Sequence, residues 1–365
     1  MTLHDIRTMN ATKTKITKLT VTFITGIAII YLASTWIKRE GGSSVNSGNK
    51  DSEESHNKFG SIIERRYIDQ GSGVVTTQKK KVMTKCGDTE DDFMMSSLDL
   101  VKPLLSSVQE NHNAARNRTV LCRNAVKPLS ENDLTQDEDN RKEKCIKSFK
   151  SDYSKSNEQF WKGDIQYVRH KHHKYLNTES VVLDIGGNKG KDAEALLKSY
   201  NPGSYIILEP IKTLFNALVN MFEKNKNVIL YDFGLGRKTD KFFVNVVGYG
   251  GDATSIFIEN NQKESCLLRV FNTTEFMIRL GVPCVEVDLI TINCEGCEFD
   301  ILETLLSTNI INMFRHIQFA THPTLKHLNQ PVARYCQIQE KLSRTHVISY
   351  QYKFCWETWK RKDLT

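Results

Sequence analysis

Ten residues, 181–190, constrain this chain more than any other stretch: Val181-Val182-Leu183-Asp184-Ile185-Gly186-Gly187-Asn188-Lys189-Gly190. An apolar run reaches an acid, glycines follow, and an Ala/Leu-rich segment starts at once. That order reads as a buried strand, a tight turn and a helix. Gly186, Gly187 and Gly190 let the backbone turn sharply and approach a ligand with no Cβ in the way.

Charge decides what such a turn can hold. A dinucleotide turn rests a diphosphate on the helix N-terminus. Here Asp184 stands at the strand end, where it would repel a diphosphate and attract a cation. S-adenosylmethionine suits it, having an ammonium, a sulfonium and no phosphate. A second acid, Glu209, closes the next apolar run, Tyr205-Ile206-Ile207-Leu208. An acid there can accept both ribose hydroxyls.

The strand–helix order continues. A helix is expected near 191–199, Asn201-Pro202-Gly203 breaks it, and the strand ending at Glu209 follows. The next helix places Ile211, Leu214, Phe215, Leu218, Met221 and Phe222 on one face. A third strand, 227–232, ends at Asp232. This alternation argues for a parallel sheet with helices on both faces. Ligands of such sheets bind beyond the carboxyl ends of the strands, at the switch in strand order. Asp184, Glu209 and Asp232 are therefore expected around one crevice. Asp232 reads either as a partner for the adenine amino group or as a turn acid before Gly234. An extra strand at 241–247, a flexible loop over the crevice at 248–252 and a short helix at 271–280 follow.

The second informative stretch is 287–298, Val-Asp-Leu-Ile-Thr-Ile-Asn-Cys-Glu-Gly-Cys-Glu. An apolar strand again ends in polar residues and a glycine before a helix, aiming Asn293 and Glu295 at the crevice. Cys294 and Cys297 form a C-x-x-C. A redox or zinc role needs a helix N-terminal thiol of low pKa or a second ligand pair, and the chain has no second C-x-x-C. His170, His172 and His173 sit among lysines after an expected helix carrying Phe160, Trp161, Ile165, Tyr167 and Val168. No second ligand group follows at zinc spacing, so they read as a solvated basic helix end. No metal site is expected.

Residues 19–37 carry no charge, and about 19 residues suffice to cross a bilayer as a helix. Arg7, Lys13, Lys15 and Lys18 precede the run, which favours a cytoplasmic N-terminus and a lumenal remainder. A cleaved signal peptide is the rival; its apolar core is normally shorter, and no small-x-small site follows. The expected order is a cytoplasmic tail (1–18), a signal anchor (19–37), a stem with an irregular Cys-containing region (38–150) and a folded domain (151–365). Asn117-Arg118-Thr119 and Asn272-Thr273-Thr274 are glycosylation sequons on the lumenal side. Nine cysteines leave at least one thiol outside any intrachain pair. The net charge of +7 comes from basic residues mixed with acids, so no nucleic-acid partner is implied.

From about 155 to 360 the chain resembles the FkbM family of class I S-adenosylmethionine-dependent methyltransferases. The family's D-x-G-x-N-x-G matches Asp184, Gly186, Asn188 and Gly190, and its second-strand acid matches Glu209. Its D-L-x-K-I-D-x-E-G-x-E aligns with Asp288 to Glu298. Thr291 replaces the usual Lys, and Asn293 the usual Asp. A later strand with Glu and His aligns with 317–322, keeping His322 but placing Ala320 or Thr321 at the acid.

The resemblance implies an α/β fold: a Rossmann-like, doubly wound, seven-stranded, mostly parallel sheet closed by a C-terminal antiparallel pair. It implies O-methylation of a hydroxyl on a glycan or small molecule, with Asp184, Gly186, Gly187, Asn188, Gly190, Glu209, Asp232, Asn293 and Glu295 around the cofactor. His322 is the candidate base, against a structural histidine. With the anchor, this describes a single-pass type II membrane enzyme of the Golgi or another secretory compartment. Two other readings are a cofactor-binding protein without turnover and a nucleotide-sugar enzyme. For the latter, no D-x-D motif to hold a diphosphate is recognised.

Overall fold

The computed structural model describes residues 101–104, 112–129, 133–163, 167–245, 254–257 and 265–365, and the backbone of 66–68 and 75–77. The apolar run 19–37, the stem, Cys86 and the loop 248–252 lie outside the described residues. Among the described residues no helix is long and apolar enough to cross a membrane.

Two helices precede the sheet, α1 (His112–Ala125) and α2 (Gln136–Lys162). α2 starts at a capping box: the Thr135 hydroxyl accepts from Glu138 N–H, and the Glu138 carboxylate accepts from Thr135 N–H. Arg344 grips the same carboxylate at 2.6 Å and holds Glu138 down at about 2. α2 runs through position 150, so the expected domain boundary falls inside a helix. Gly163 ends it, and a π-helical turn follows at Tyr167–Lys171.

The alternating units are β1 (Val181–Ile185), α3 (Lys191–Tyr200), β2 (Ser204–Leu208), α4 (Lys212–Phe222) and β3 (Val228–Tyr231). A small insertion follows: β4 (Gly234–Gly236), β5 (Asp240–Asn245) and β6 (Ser265–Asn272), paired in the order β4-β6-β5. The chain returns through α5 (Thr273–Leu280), β7 (Val287–Ile292), α6 (Cys297–Leu306), β8 (Phe314–Ala320), α7 (Pro331–Leu342), β9 (His346–Tyr352) and β10 (Trp356–Arg361).

The main sheet has seven strands in the order β9-β10-β8-β7-β1-β2-β3. β8, β7, β1, β2 and β3 are parallel, and β10 runs antiparallel to both its neighbours. The expected doubly wound sheet with a closing antiparallel pair is therefore present. The inner strands are nearly all apolar because both faces are covered. Leu183, Ile185, Ile206 and Ile290 pack on one face with Phe276, Phe299 and Leu302. Val182, Tyr205, Ile207 and Leu289 pack on the other with Leu196 and Leu218. Each such side chain contributes about 1.5–3 kcal/mol by leaving water. The order reverses beside β1: β2 and β3 lie to one side, β7 and β8 to the other. That reversal opens the crevice at the carboxyl ends of β1 and β7.

Disulfides fasten the chain before β1 to this sheet. Cys122 of α1 bonds Cys284, 162 positions on, and Cys145 of α2 bonds Cys336 of α7, 191 positions on. Closing loops this long contributes about 5 kcal/mol each in the chain-entropy account. Cys266 is also disulfide-bonded, and Cys355 is a free thiol. The segment expected to be irregular thus supplies two helices stapled to the domain. The two sequons differ. Asn117 is exposed on α1. Asn272 caps α5: its side chain accepts from Glu275 N–H and donates to the Arg237 carbonyl, and Thr273 is fully buried.

Candidate functional site

A cavity of about 280 Å³ opens at the reversal, near the lower end of the range for small-molecule sites. Its floor is the turn after β1, its sides are Glu209 with Pro210 and the turn after β7, and its roof is the β4–β6 insertion with 254–257.

Close packing explains the first turn. A Cβ on Gly186, at φ +93, would lie 2.0 Å from the Asn293 carbonyl oxygen, so only glycine lets the two turns touch. A Cβ on Gly187 would lie 2.2 Å from Ile207 Cγ2, and one on Gly190 would strike Leu218 and Met221. Gly187 and Gly190 therefore seat α3 and α4 against the sheet and do not line the cavity; Gly186 and Asn188 do.

Four donors of this turn are spent inside the protein. Gly186 and Gly187 N–H donate to the Leu208 carbonyl, and Gly190 N–H to that of Gly187. Asn188 N–H donates to Glu209 Oε2 at 2.7 Å, while Ile211 N–H donates to Oε1 at 2.8 Å. A phosphate would need those N–H groups. Burial raises Glu209 to about 7. A carboxylate with spare lone pairs thus faces the cavity where a ribose would need an acceptor.

Asp184 does not share that wall. Side chains alternate along a strand, and Ile185 takes the cavity side. Asp184 points to the opposite face, where it accepts from the Tyr205 hydroxyl at 3.0 Å. Burial raises it to about 7. Below it, Asp192 is held by His170 and Arg169. The expectation that Asp184 meets the ligand is corrected on that ground. Asp232 is likewise outside the cavity, ion-paired to buried Arg269 and 3.6 Å from Lys212 Nζ. It is a turn acid with a partner.

The second turn places its polar residues as expected. Asn293 and Glu295 line the cavity, with Cys294 and Cys297 beside them. Asn293 N–H donates to the Ile185 carbonyl, tying β7 to β1 at the rim. Glu295 has φ +52 and Gly296 φ +110. A side chain in the left-handed region costs about 1–2 kcal/mol, so this corner is held by its surroundings.

One such contact is His322. Its Nδ1–H donates to Glu298 Oε1 at 2.9 Å and its Nε2–H to Glu295 Oε1 at 3.2 Å. Burial alone would lower the imidazole, but Glu298 and Glu295 outweigh it and raise it to about 10. His322 is a cation at neutral pH and has no free lone pair, which removes it as a general base. It lies behind Glu295 and is not part of the cavity lining.

Thr291 is buried in β7 and accepts from Gln318, away from the cavity. The histidine-rich segment is not a solvated helix end. His170 and His173 are buried, and His173 is pushed down to about 4 by burial beside Gln318 and Tyr175. Among the described residues no cluster of His, Cys, Asp and Glu is arranged to hold a metal ion. Asp137-Glu138-Asp139 has D-x-D spacing, contrary to the sequence reading. It opens α2, with Glu138 on Arg344 and Asp139 on Lys142, apart from the cavity.

The roof was read in part: the strand expected at 241–247 is β5, whereas β4, β6 and their lining residues were not foreseen. Leu235, Phe242, Ser255, Phe257 and Val270 enclose the cavity from the insertion. The strand-length run 266–271, apolar apart from Arg269, was the available signal for β6. Two cations stand at the rim, each paired: Arg237 with Asp300 and Glu303, Lys238 with Asp240.

No family model matches the chain, and no curated protein does. Among solved structures it is similar to methyltransferase FkbM from Methylobacillus flagellatus KT (TM-score 0.35, 11% identity, 51% of this chain and 44% of that one). It is also similar to N-methyltransferase NodS from Bradyrhizobium japonicum WM9 (0.29, 10%, 51% and 87%). A third is M. capricolum TrmK in complex with S-adenosyl-homocysteine (0.25, 12%, 52% and 65%). The chain spans less than half the length of the first of these, 44%.

Proposed function

We propose that this chain binds S-adenosylmethionine in the cavity and methylates a hydroxyl of a glycan or small molecule. The observation that carries the reading is Glu209. A buried carboxylate faces the cavity and takes Asn188 N–H, while Gly186, Gly187 and Gly190 N–H donate to carbonyls of the protein. The cations among the described lining residues, Arg237 and Lys238, are each matched by acids. Such a wall favours a positively charged nucleoside over NAD or a sugar diphosphate.

The residues present fit that group. Glu209 accepts the ribose hydroxyls, Asn293 and Glu295 face the methionine part, and Leu214, Leu235 and Phe242 supply apolar surface for the base. When bound, the cofactor supplies a sulfonium-activated methyl for in-line displacement by an oxygen nucleophile. Glu295 takes the role first assigned to His322: its carboxylate orients the acceptor hydroxyl and receives its proton. His322 is a positioning residue that fixes one Glu295 oxygen.

A secretory location is part of the proposal. Disulfides among the described residues favour an oxidising compartment, and the basic flank of 19–37 favours a lumenal domain. Two observations favour a second reading, binding without turnover: the aligned acid is missing before His322, and His322 is itself locked as a cation. Labelled S-adenosylmethionine and a glycan panel, given to the purified full chain, separate the two. Methylated product supports the enzyme; cofactor binding with no product across the panel supports the binding protein; manganese-dependent sugar transfer contradicts both.

A further inference from the structure

The third disulfide differs in kind from the two that staple the helices. Cys294–Cys297 spans 3 positions, so as a cross-link it constrains the unfolded chain far less than the two long-range bridges do. What it encloses is Glu295 and Gly296, the two residues with positive φ at this corner. Both cysteines are partly exposed, and both line the cavity. Cys122 and Cys336, by contrast, are completely buried halves of the long-range bridges.

The two sulfurs are not equivalent. Cys297 is the first residue of α6, a ten-residue helix whose N-terminal N–H groups stabilise a thiolate. Cys294 Sγ lies 3.8 Å from Glu298 Oε2, a carboxylate that opposes a thiolate there. Cys297 is therefore the better leaving group, and an incoming thiolate is directed to Cys294. Cys355, the free thiol among the described residues, is pushed up to about 11 by burial and does not compete.

We propose that Cys294–Cys297 is a thiol-exchange site in the cavity wall, opened by small dithiols, and that the closed bridge clamps the turn presenting Glu295 to His322. A dithiol's first thiolate attacks Cys294 Sγ, forming a mixed disulfide and releasing the Cys297 thiolate. Its second thiolate then attacks its own sulfur in that mixed disulfide, releasing Cys294, which takes up a proton. The dithiol leaves as a cyclic disulfide, having given two electrons to the protein. Once open, the corner loses the ring that closes it around two left-handed residues. Glu295 then leaves His322, and the reduced state is the inactive one. The proposal concerns control of the site assigned above and rests on that assignment only in the protection arm of its test.

The test is graded reduction of the full chain with dithiothreitol, rapid alkylation and peptide mass spectrometry. His322 is followed by NMR in parallel. Cys294 and Cys297 are expected to label at roughly tenfold lower reductant than Cys122, Cys145, Cys284 and Cys336. At that point the His322 titration should move downward, with Glu298 still its partner, while the other bridges stay closed. Labelling of the pair together with or after the long-range bridges overturns the proposal, as does early labelling with an unchanged His322 signal. The double variant Cys294→Ser/Cys297→Ser, with both long bridges intact by mass, should show the reduced-state His322 signal without any reductant; an oxidised-state signal there also overturns it. S-adenosylhomocysteine should protect the pair from labelling. Early labelling without protection leaves the exchange site standing and counts against the cofactor assignment.

Discussion

The turns after β1 and β7 share a plan: an apolar strand, a polar corner with positive φ, a glycine and a helix. They touch where Gly186 meets the Asn293 carbonyl. Their side chains go to different places. After β1 the acid is buried behind the strand, and two of three glycines serve packing. After β7 the polar residues face the cavity, backed by a cationic histidine and a local disulfide. The first corner is a floor shaped by close contact; the second is a wall that presents functional groups. The lesson is that a motif's acid is useful to a ligand only if strand alternation turns it that way.

The largest effect is expected where the corners meet. Gly186→Ala forces a methyl into the Asn293 carbonyl, costing at least about 1–3 kcal/mol, and should abolish cofactor binding measured by calorimetry. Gly281→Ala is the control. At φ +89 with nothing within 4 Å it carries only backbone strain, so cofactor affinity should hold and melting should fall slightly. Equal binding losses in both would mean that strain, not contact, explains the first corner.

The next effect separates chemistry from binding. Glu295→Gln should lower turnover about a hundredfold, the usual scale for a proton acceptor, with little change in cofactor affinity. His322→Gln should lower it less and alter its pH profile. A His322→Gln loss as large as that of Glu295→Gln, with the profile unchanged, would return the base role to the histidine.

pH tests the acid on the wall. Glu209 is raised to about 7, so it is protonated below that and ionised above. S-adenosylhomocysteine affinity should rise severalfold from about pH 6 to 8 and level off, as the better acceptor forms. Stability should move the other way. Glu209 and Asp184 hold more protons when folded than when unfolded between about 4 and 7, so their contribution falls as pH rises through that window. His322 has the usual sign for a raised histidine: its contribution is full below about 6.5 and is lost as pH rises through about 10.

The smallest expected change in binding is at the floor's underside. Tyr205→Phe strands the Asp184 carboxyl and should cost about 1–3 kcal/mol of stability in denaturant melts, while cofactor affinity stays put. A large affinity loss would place Asp184 closer to the ligand than the geometry does.

The parallel strands as far as β7 and their helices were legible because apolar runs end in polar or glycine turns; the closing pair came with the family resemblance. Glu209, Asn293 and Glu295 were legible as strand-end polar groups. Asp184 was misread because a strand end fixes height in the sheet, not the face a side chain takes; Asp232 took the second of its two readings, the turn acid. His322 was misread because its two carboxylate partners, 24 and 27 positions earlier, converge only after folding. α1 and α2 were lost in a polar region whose long-range disulfides and Arg344–Glu138 pair supply what its apolar pattern lacks. Of the β4–β6 roof only β5 was legible, since β4 is three residues long and β6 carries Arg269 inside its apolar run.

The most direct measurement is calorimetric titration of S-adenosylhomocysteine into the full chain, Glu209→Gln and Asp184→Asn side by side. Losing a charged acceptor on the cavity wall should weaken binding by about 1.5–3 kcal/mol, or roughly 10- to 100-fold, whereas Asp184→Asn should stay within about twofold of the unaltered chain. Binding that survives Glu209→Gln and fails with Asp184→Asn, or that is absent from all three, would contradict the account.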